Sequence, residues 1–265
     1  MDIGVSTACF YPEETERALR RCGEMGVLCT EIFFNAPSEL KGPLLREMAQ
    51  IRSAYNMRIV SVHPFTSSIE PYLLFSRYER RYRDGLDFYL RYAEAAAALG
   101  AGIVVLHGGR DGDRELSPEE YTDRFLELDR ILAREGVRLA QENVNNYAAC
   151  HPEFLRTMRH LSQDTVRFVC DVKQAVRAGH TPLEILDAMG PCVAHVHLSD
   201  HGKDGDCLLP GRGCFDFANL FSRLQQMHYQ GDAVVEVYRS AFAQAGDLAD
   251  AWQWLQKQYA YTMRK

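Results

Sequence analysis

Three histidines and three acids stand out because each ends, or nearly ends, a short apolar run. They are His63 in RIVSVH, His107 in GIVVLH, Glu142 in RLAQEN, Asp171 in RFVCDV, His197 in VAHVHL and Glu236 in AVVEVY. Neutral imidazole and ionised carboxylate both bind divalent cations, and imidazole also moves protons near neutral pH. A charge inside an apolar run is costly unless something pairs with it. If the six converge, three acids in one dry place repel each other until a cation sits among them. The pattern therefore points to a divalent-metal site with proton-transferring groups beside it. The stretch HVHLSDH (195–201) sharpens the question. His197 ends its run, while His195 shares its face two residues deeper, where a hydrogen-bonded core role is expected. Asp200 and His201 begin the next loop.

Such residues meet only if their runs are neighbouring strands. Eight runs fit that description, at 3–7, 29–34, 58–63, 102–107, 138–143, 167–172, 193–198 and 233–238. Helical stretches at 15–26, 43–56, 86–100, 117–136, 152–163 and 217–231 separate most of them. Ser117-Pro118-Glu119-Glu120 reads as an N-cap, a proline at the first helical position and acids in the first turn. Gly26, Gly100, Gly136 and Gly231 follow helical runs, as glycines that end helices do. Strands joined through helices pair in parallel by right-handed crossovers. Eight such units in 265 residues predict one (β/α)8 TIM barrel over residues 1–265, whose chemistry sits at the strands' C-terminal ends. An open doubly wound sheet is the alternative, but the first strand–helix turn lacks a GxGxxG fingerprint. Residues 64–85 form the one long departure, rich in aromatics and arginine, and are expected to be a lid loop over that face.

The bulk numbers narrow the class. With 46 % hydrophobic and 25 % charged residues the chain has material for one ordinary core. A net charge of −6 argues against a nucleic-acid surface, which carries a basic stripe. Eight cysteines without a CxxC pair suit reduced thiols in a cytoplasmic protein better than a disulfide framework. No apolar run approaches the ~18 residues that span a bilayer, so no membrane association is expected.

Read together, SVHP (61–64), LHGG (106–109), QENVN (141–145), DVKQ (171–174), HVHLSD (195–200), LLPGRG (208–213) and VVEVY (234–238) resemble the xylose isomerase-like TIM barrels. That family includes ketose and sugar-phosphate 3-epimerases, hydroxypyruvate isomerase, inosose isomerases and dehydratases, and endonuclease IV. In its epimerase branch a single Mn²⁺, Co²⁺ or Zn²⁺ is held by residues that match Glu142, Asp171, His197 and Glu236. The nuclease branch needs a histidine where this chain has Gln174, and an Asp-x-His where it reads Leu209-Pro210-Gly211-Arg212-Gly213. A three-zinc nuclease is therefore not expected. In the sugar epimerases a His and an Arg contact substrate where Gln174 and Lys203 stand here. The resemblance thus makes Gln174 and Lys203 substrate contacts, and allows a homodimer or homotetramer.

Three carboxylates with one imidazole suit a hard cation, Mn²⁺ first, with Mg²⁺, Co²⁺ or Zn²⁺ also fitting. A metal that polarises a carbonyl stabilises the enediolate left when the neighbouring carbon loses a proton. Glu142 and Glu236 are then the general base and acid. Return of the proton gives epimerisation or isomerisation of a sugar, sugar phosphate or cyclitol; loss of a β-hydroxyl gives dehydration. A non-catalytic ligand-binding barrel is the remaining alternative. His63 and His107 are expected to contact substrate or orient its neighbours, with second-site metal ligation the other reading. Tyr72, Phe75, Tyr78 and Tyr82 either stack on a sugar or pack the lid. Arg77, Arg80, Arg81 and Arg83 are expected to be a solvated face. Gly211-Arg212-Gly213 turns the chain or offers Arg212 and backbone N–H groups to an anion.

Overall fold

The computed structural model describes residues 1–112 and 115–264. Eight parallel strands close into a barrel: β1 (Ile3–Ser6), β2 (Cys29–Phe33), β3 (Arg58–His63), β4 (Ile103–Leu106), β5 (Arg138–Glu142), β6 (Phe168–Asp171), β7 (Val193–Leu198) and β10 (Asp232–Val235). A two-stranded hairpin, β8 (Asp200–Gly202) and β9 (Gly205–Leu208), stands on the rim after β7. Each barrel strand coincides with one of the eight apolar runs, and their burial on both faces explains why they read as continuous runs. His107 and Glu236 lie one residue beyond their strands, on the rim where the backbone leaves the sheet.

Four of the five helix-end residues picked out in the sequence act as expected. Ser117 and Glu120 form a reciprocal capping box at the head of the helix Pro118–Leu132. Gly26, Gly100 and Gly136 carry φ near +80° after their helices, a conformation open to glycine at no steric cost. Gly231 is different. The helix before it ends at Gln226, His228 takes the left-handed conformation, and Gly231 instead lets the backbone approach Ala194 O.

The segment 64–85, expected as a lid loop, is partly helical. Ser67–Ile69 and Glu70–Leu73 are short helices, and the helix expected from residue 86 already begins at Glu79. Gly85 lies inside that helix, where an added Cβ would press on Leu74 Cδ2. Buried Glu70 pins the segment down by accepting from Tyr89 Oη and, at 2.6 Å, from Gly108 N. Phe75 stacks on Tyr121, and Tyr82 donates to Glu127. These two aromatics pack the segment, while Tyr72 and Tyr78 are exposed. Arg77 pairs with Glu120 and Arg83 with Glu79 at the surface, as a solvated face would. The eight cysteines are unpaired, and no described helix is long and apolar enough to cross a membrane.

Candidate metal centre and active site

Strand register assembles the site. Asp171 on β6 lies directly beside His197 on β7, which lies beside Val234 on β10, two residues before Glu236. Glu142 ends β5, paired with Val169 of β6. One ligand-type atom from each of Glu142, Asp171, His197 and Glu236 falls within 4.8 Å of the others, and all four residues are buried.

The local sequence fixes each of these side chains. Asn143 brackets the end of β6, donating to Asp171 O and accepting from Asp171 N. Asp171 then caps the short helix Val172–Arg177 by accepting from Gln174 N through Oδ1. That leaves Oδ2 facing the cluster. Gln141 clamps the preceding loop through Leu106 O and His107 O. Gly108 must be glycine here: its φ is +91°, and a Cβ would collide with Tyr121 and Gln141.

Hydrogen bonding separates this cluster from the rest of the interior. Among the described residues, only four buried side-chain atoms lack a hydrogen-bond partner: Glu142 Oε2, Asp171 Oδ2, His197 Nδ1 and Ser199 Oγ. Three of them belong to the quartet. His197 Nδ1 lies 3.3 Å from Glu142 Oε1, 3.6 Å from Asp171 Oδ2 and 3.5 Å from Glu236 Oε2. His107 Nε2 approaches Glu142 Oε2 to 3.1 Å, and Lys173 Nζ approaches Asp171 Oδ2 to 3.3 Å, both without the alignment of a hydrogen bond. Burial works against a charged His197, yet the carboxylates of Glu31 and Glu236 outweigh it and raise its pKa well above the ordinary value. Burial likewise pushes the Asp171 carboxyl up. His197 Nδ1 and Asp171 Oδ2, both partnerless, lie among the oxygens of Glu142 and Glu236, and a divalent cation satisfies such a donor set with surplus negative charge, so the residues fit the metal that the sequence implies.

His63 and His107 flank Glu142, with their Nε2 atoms 3.0 Å apart and Phe33 stacked on the His63 ring. Beside Glu236 lies a cavity of about 280 Å³ walled by Tyr11, Phe33, Val237 and Tyr238, with Asn35 and Lys173 as its other polar groups. Wider hollows of about 420 and 650 Å³ lie on the outer helices, around Arg20–Glu47 and Arg156–Asp164, away from the strand ends. The other sequence-selected contacts stand further out. Gln174 is half-buried and its Oε1 accepts from Asn145 N. Lys203, in the turn between β8 and β9, and Arg212 are exposed. Gly211 N and Gly213 N both donate to buried Asp200, which also accepts from His201 N and Phe215 N. The glycine turn thus folds around its own carboxylate. His195 bonds Asp232 O through Nδ1 at 2.9 Å, and burial lowers its pKa to about 4, so it is a neutral core residue.

Two further groups at this site were not evident in the sequence. Lys173 Nζ is buried 2.7 Å from Glu236 Oε2, and Glu31 in mid-β2 is fully buried against His197 Nε2 at 3.1 Å. The signal for Glu31 was an acid in the middle of the run CTEIFF, where a charge requires partners. Lys173 carried the same signal beside Asp171, on a short helix that the periodicity did not reveal.

Comparison with known proteins agrees with this fold. A profile described as xylose isomerase-like TIM barrel matches residues 19–258. An inosose dehydratase from Geobacillus kaustophilus is 28 % identical over 259 residues, covering 83 % of this chain and 79 % of that protein. A 3-keto-D-glucoside 4-epimerase from E. coli superposes with a TM-score of 0.77 at 21 % identity, over 97 % of this chain and 99 % of that one. An IOLI protein crystallised with a zinc atom gives 0.79 at 18 % identity, over 99 % of both chains.

Proposed function

The chain belongs to the xylose isomerase-like TIM barrel family, and from that footing we propose that it is a sugar isomerase or epimerase dependent on one divalent cation. Glu142, Asp171, His197 and Glu236 hold the cation. The observation that carries this reading is that His197 Nδ1, left partnerless, lies 3.3 Å from Glu142 Oε1, 3.6 Å from the partnerless Asp171 Oδ2 and 3.5 Å from Glu236 Oε2. Three carboxylates and an imidazole favour Mn²⁺, with Mg²⁺, Co²⁺ or Zn²⁺ as substitutes. When bound, such an ion supplies positive charge to a substrate carbonyl, which makes the neighbouring C–H acidic.

The side chains supply the remaining steps. Glu142 and Glu236 reach the site from different strands, so one removes a proton from the carbon next to the carbonyl and the other returns one. Lys173 holds Glu236 through Oε2 at 2.7 Å and fixes its direction. His63 and His107, beside Glu142, contact substrate oxygens. The cavity beside Glu236 accepts the sugar, with Phe33, Tyr11 and Tyr238 against its apolar face. Gln174, Lys203 and Arg212 contact the substrate's outer end.

The inosose dehydratase relative favours a second reading, in which the same proton abstraction is followed by loss of a β-hydroxyl. Incubation with Mn²⁺, a panel of ketoses and an inosose in D₂O separates the two. Deuterium in recovered sugar supports isomerisation or epimerisation, and an unsaturated product supports dehydration. If neither appears above the level of Glu142→Gln, both readings are wrong.

A further inference from the structure

We propose that Glu31 is the residue that positions the metal-binding imidazole: it holds the Nε2–H of His197 so that Nδ1 faces the cation. This rests on reading Glu142, Asp171, His197 and Glu236 as a cation site, and extends it to a carboxylate outside that quartet.

Strand register builds the arrangement. Ser6 of β1 and Ser61 of β3 are the register partners of Glu31 on β2. Ser6 Oγ donates to Glu31 Oε1 at 3.0 Å and Ser61 Oγ to Oε2 at 2.8 Å. His197 reaches the same Oε2 from β7, across the barrel, with Nε2 at 3.1 Å. An ionised carboxylate only accepts hydrogen bonds, so the proton in this contact belongs to Nε2. The opposite ring atom, Nδ1, then carries the lone pair in the metal-binding form of the ring. Nδ1 is also the atom left without a hydrogen-bond partner, and it faces the quartet. One residue thus fixes both which nitrogen binds and where the ring points. A carboxylate behind a metal-binding histidine also makes the ring a better donor, and losing such a partner commonly weakens metal affinity ~10–100-fold.

Glu31 has a plainer role available, as an acceptor that keeps Ser6, Ser61 and His197 satisfied in the core. That role predicts the same loss from any break in the network. The positioning role predicts a loss specific to the carboxylate facing Nε2. The test titrates Mn²⁺ and Zn²⁺ calorimetrically into the full chain, the Glu31→Gln variant and the Ser61→Ala variant. Long-range ¹H–¹⁵N spectra follow the His197 ring nitrogens during the Zn²⁺ titration, and thermal midpoints confirm folding. We expect ~10–100-fold weaker binding in folded Glu31→Gln, with Ser61→Ala close to wild type. The Nε2–H of His197 should persist while Zn²⁺ moves the Nδ1 resonance, and its proton signal should shift in Glu31→Gln. Equal affinity in wild type and Glu31→Gln, equal losses in both variants, or Zn²⁺ displacing the Nε2 proton would overturn the role of Glu31 alone. Absence of binding in the wild type would overturn the cation site, and this inference with it.

Discussion

On the β1–β3 wall of the barrel, Glu31 is as deeply buried as any residue in the protein, yet both its oxygens are met, by Ser6, Ser61 and His197. On the β5–β7 wall, a few ångströms away, Glu142, Asp171 and His197 converge with one atom each left partnerless. Both walls bury charge, but only one leaves it unresolved. Buried polar groups are nearly always paired, so the wall that breaks the rule is where an ion and a substrate are expected. The wall that obeys it holds the first in place. The segment 64–85 belongs with the second kind, because Glu70 is fully used by Tyr89 and Gly108.

Four perturbations probe this contrast. The largest effect is expected from Glu142→Gln, which should lower turnover ~10²–10⁴-fold, as loss of a general acid or base does. Burial raises the Glu142 carboxyl pKa, but the His107, His197 and His63 imidazoles hold it well below the usual carboxylate range, so the neutral variant should stay folded with a somewhat lower thermal midpoint. A variant that unfolds instead would place Glu142 with the scaffold. Next, chelation should abolish activity and Mn²⁺ should restore it. At a hundred times its dissociation constant, the ion should stabilise the protein by ~2.7 kcal/mol, seen as a raised thermal midpoint. An unchanged midpoint would mean that the partnerless wall binds no ion. Third, Glu70→Gln should cost ~1–3 kcal/mol in denaturant unfolding by weakening a buried hydrogen-bonded anchor. Its calorimetric Mn²⁺ affinity should match wild type; a lost affinity would erase the distinction between the two regions. The smallest effect belongs to Lys203→Ala and Arg212→Ala, which should change stability by under ~0.5 kcal/mol, as exposed substitutions do. Any effect of theirs should appear in KM, through the outer end of the substrate, and a fall in kcat alone would put them nearer the chemistry.

The amino-acid order made the barrel readable because buried parallel strands are apolar on both faces and stand out from amphipathic helices. It also exposed His63, His107, Glu142, Asp171, His197 and Glu236, since each interrupts such a run near its C-terminal end. Glu31 escaped because it sits in mid-strand, where rim-directed reasoning does not look, and its partners come from three other strands. The aromatics and arginines of segment 64–85 did not disclose its helical turns: Pro71 lies in the first turn of a short helix and Gly85 within the helix that starts at Glu79. The hairpin of β8 and β9 left no periodic trace in so few residues. What the sequence shows least is which side chains are already satisfied, because that depends on register and on contacts across the barrel.

Glu142, Asp171, His197 and Glu236 are proposed to hold one cation. Crystals grown with Mn²⁺ and measured at the manganese absorption edge test it most directly. A single anomalous peak per chain is expected, within ~2.0–2.3 Å of an oxygen from each acid and of His197 Nδ1. A peak found only elsewhere, such as at the surface group Asp111, Cys150 and His151, or no peak among the four, would contradict it.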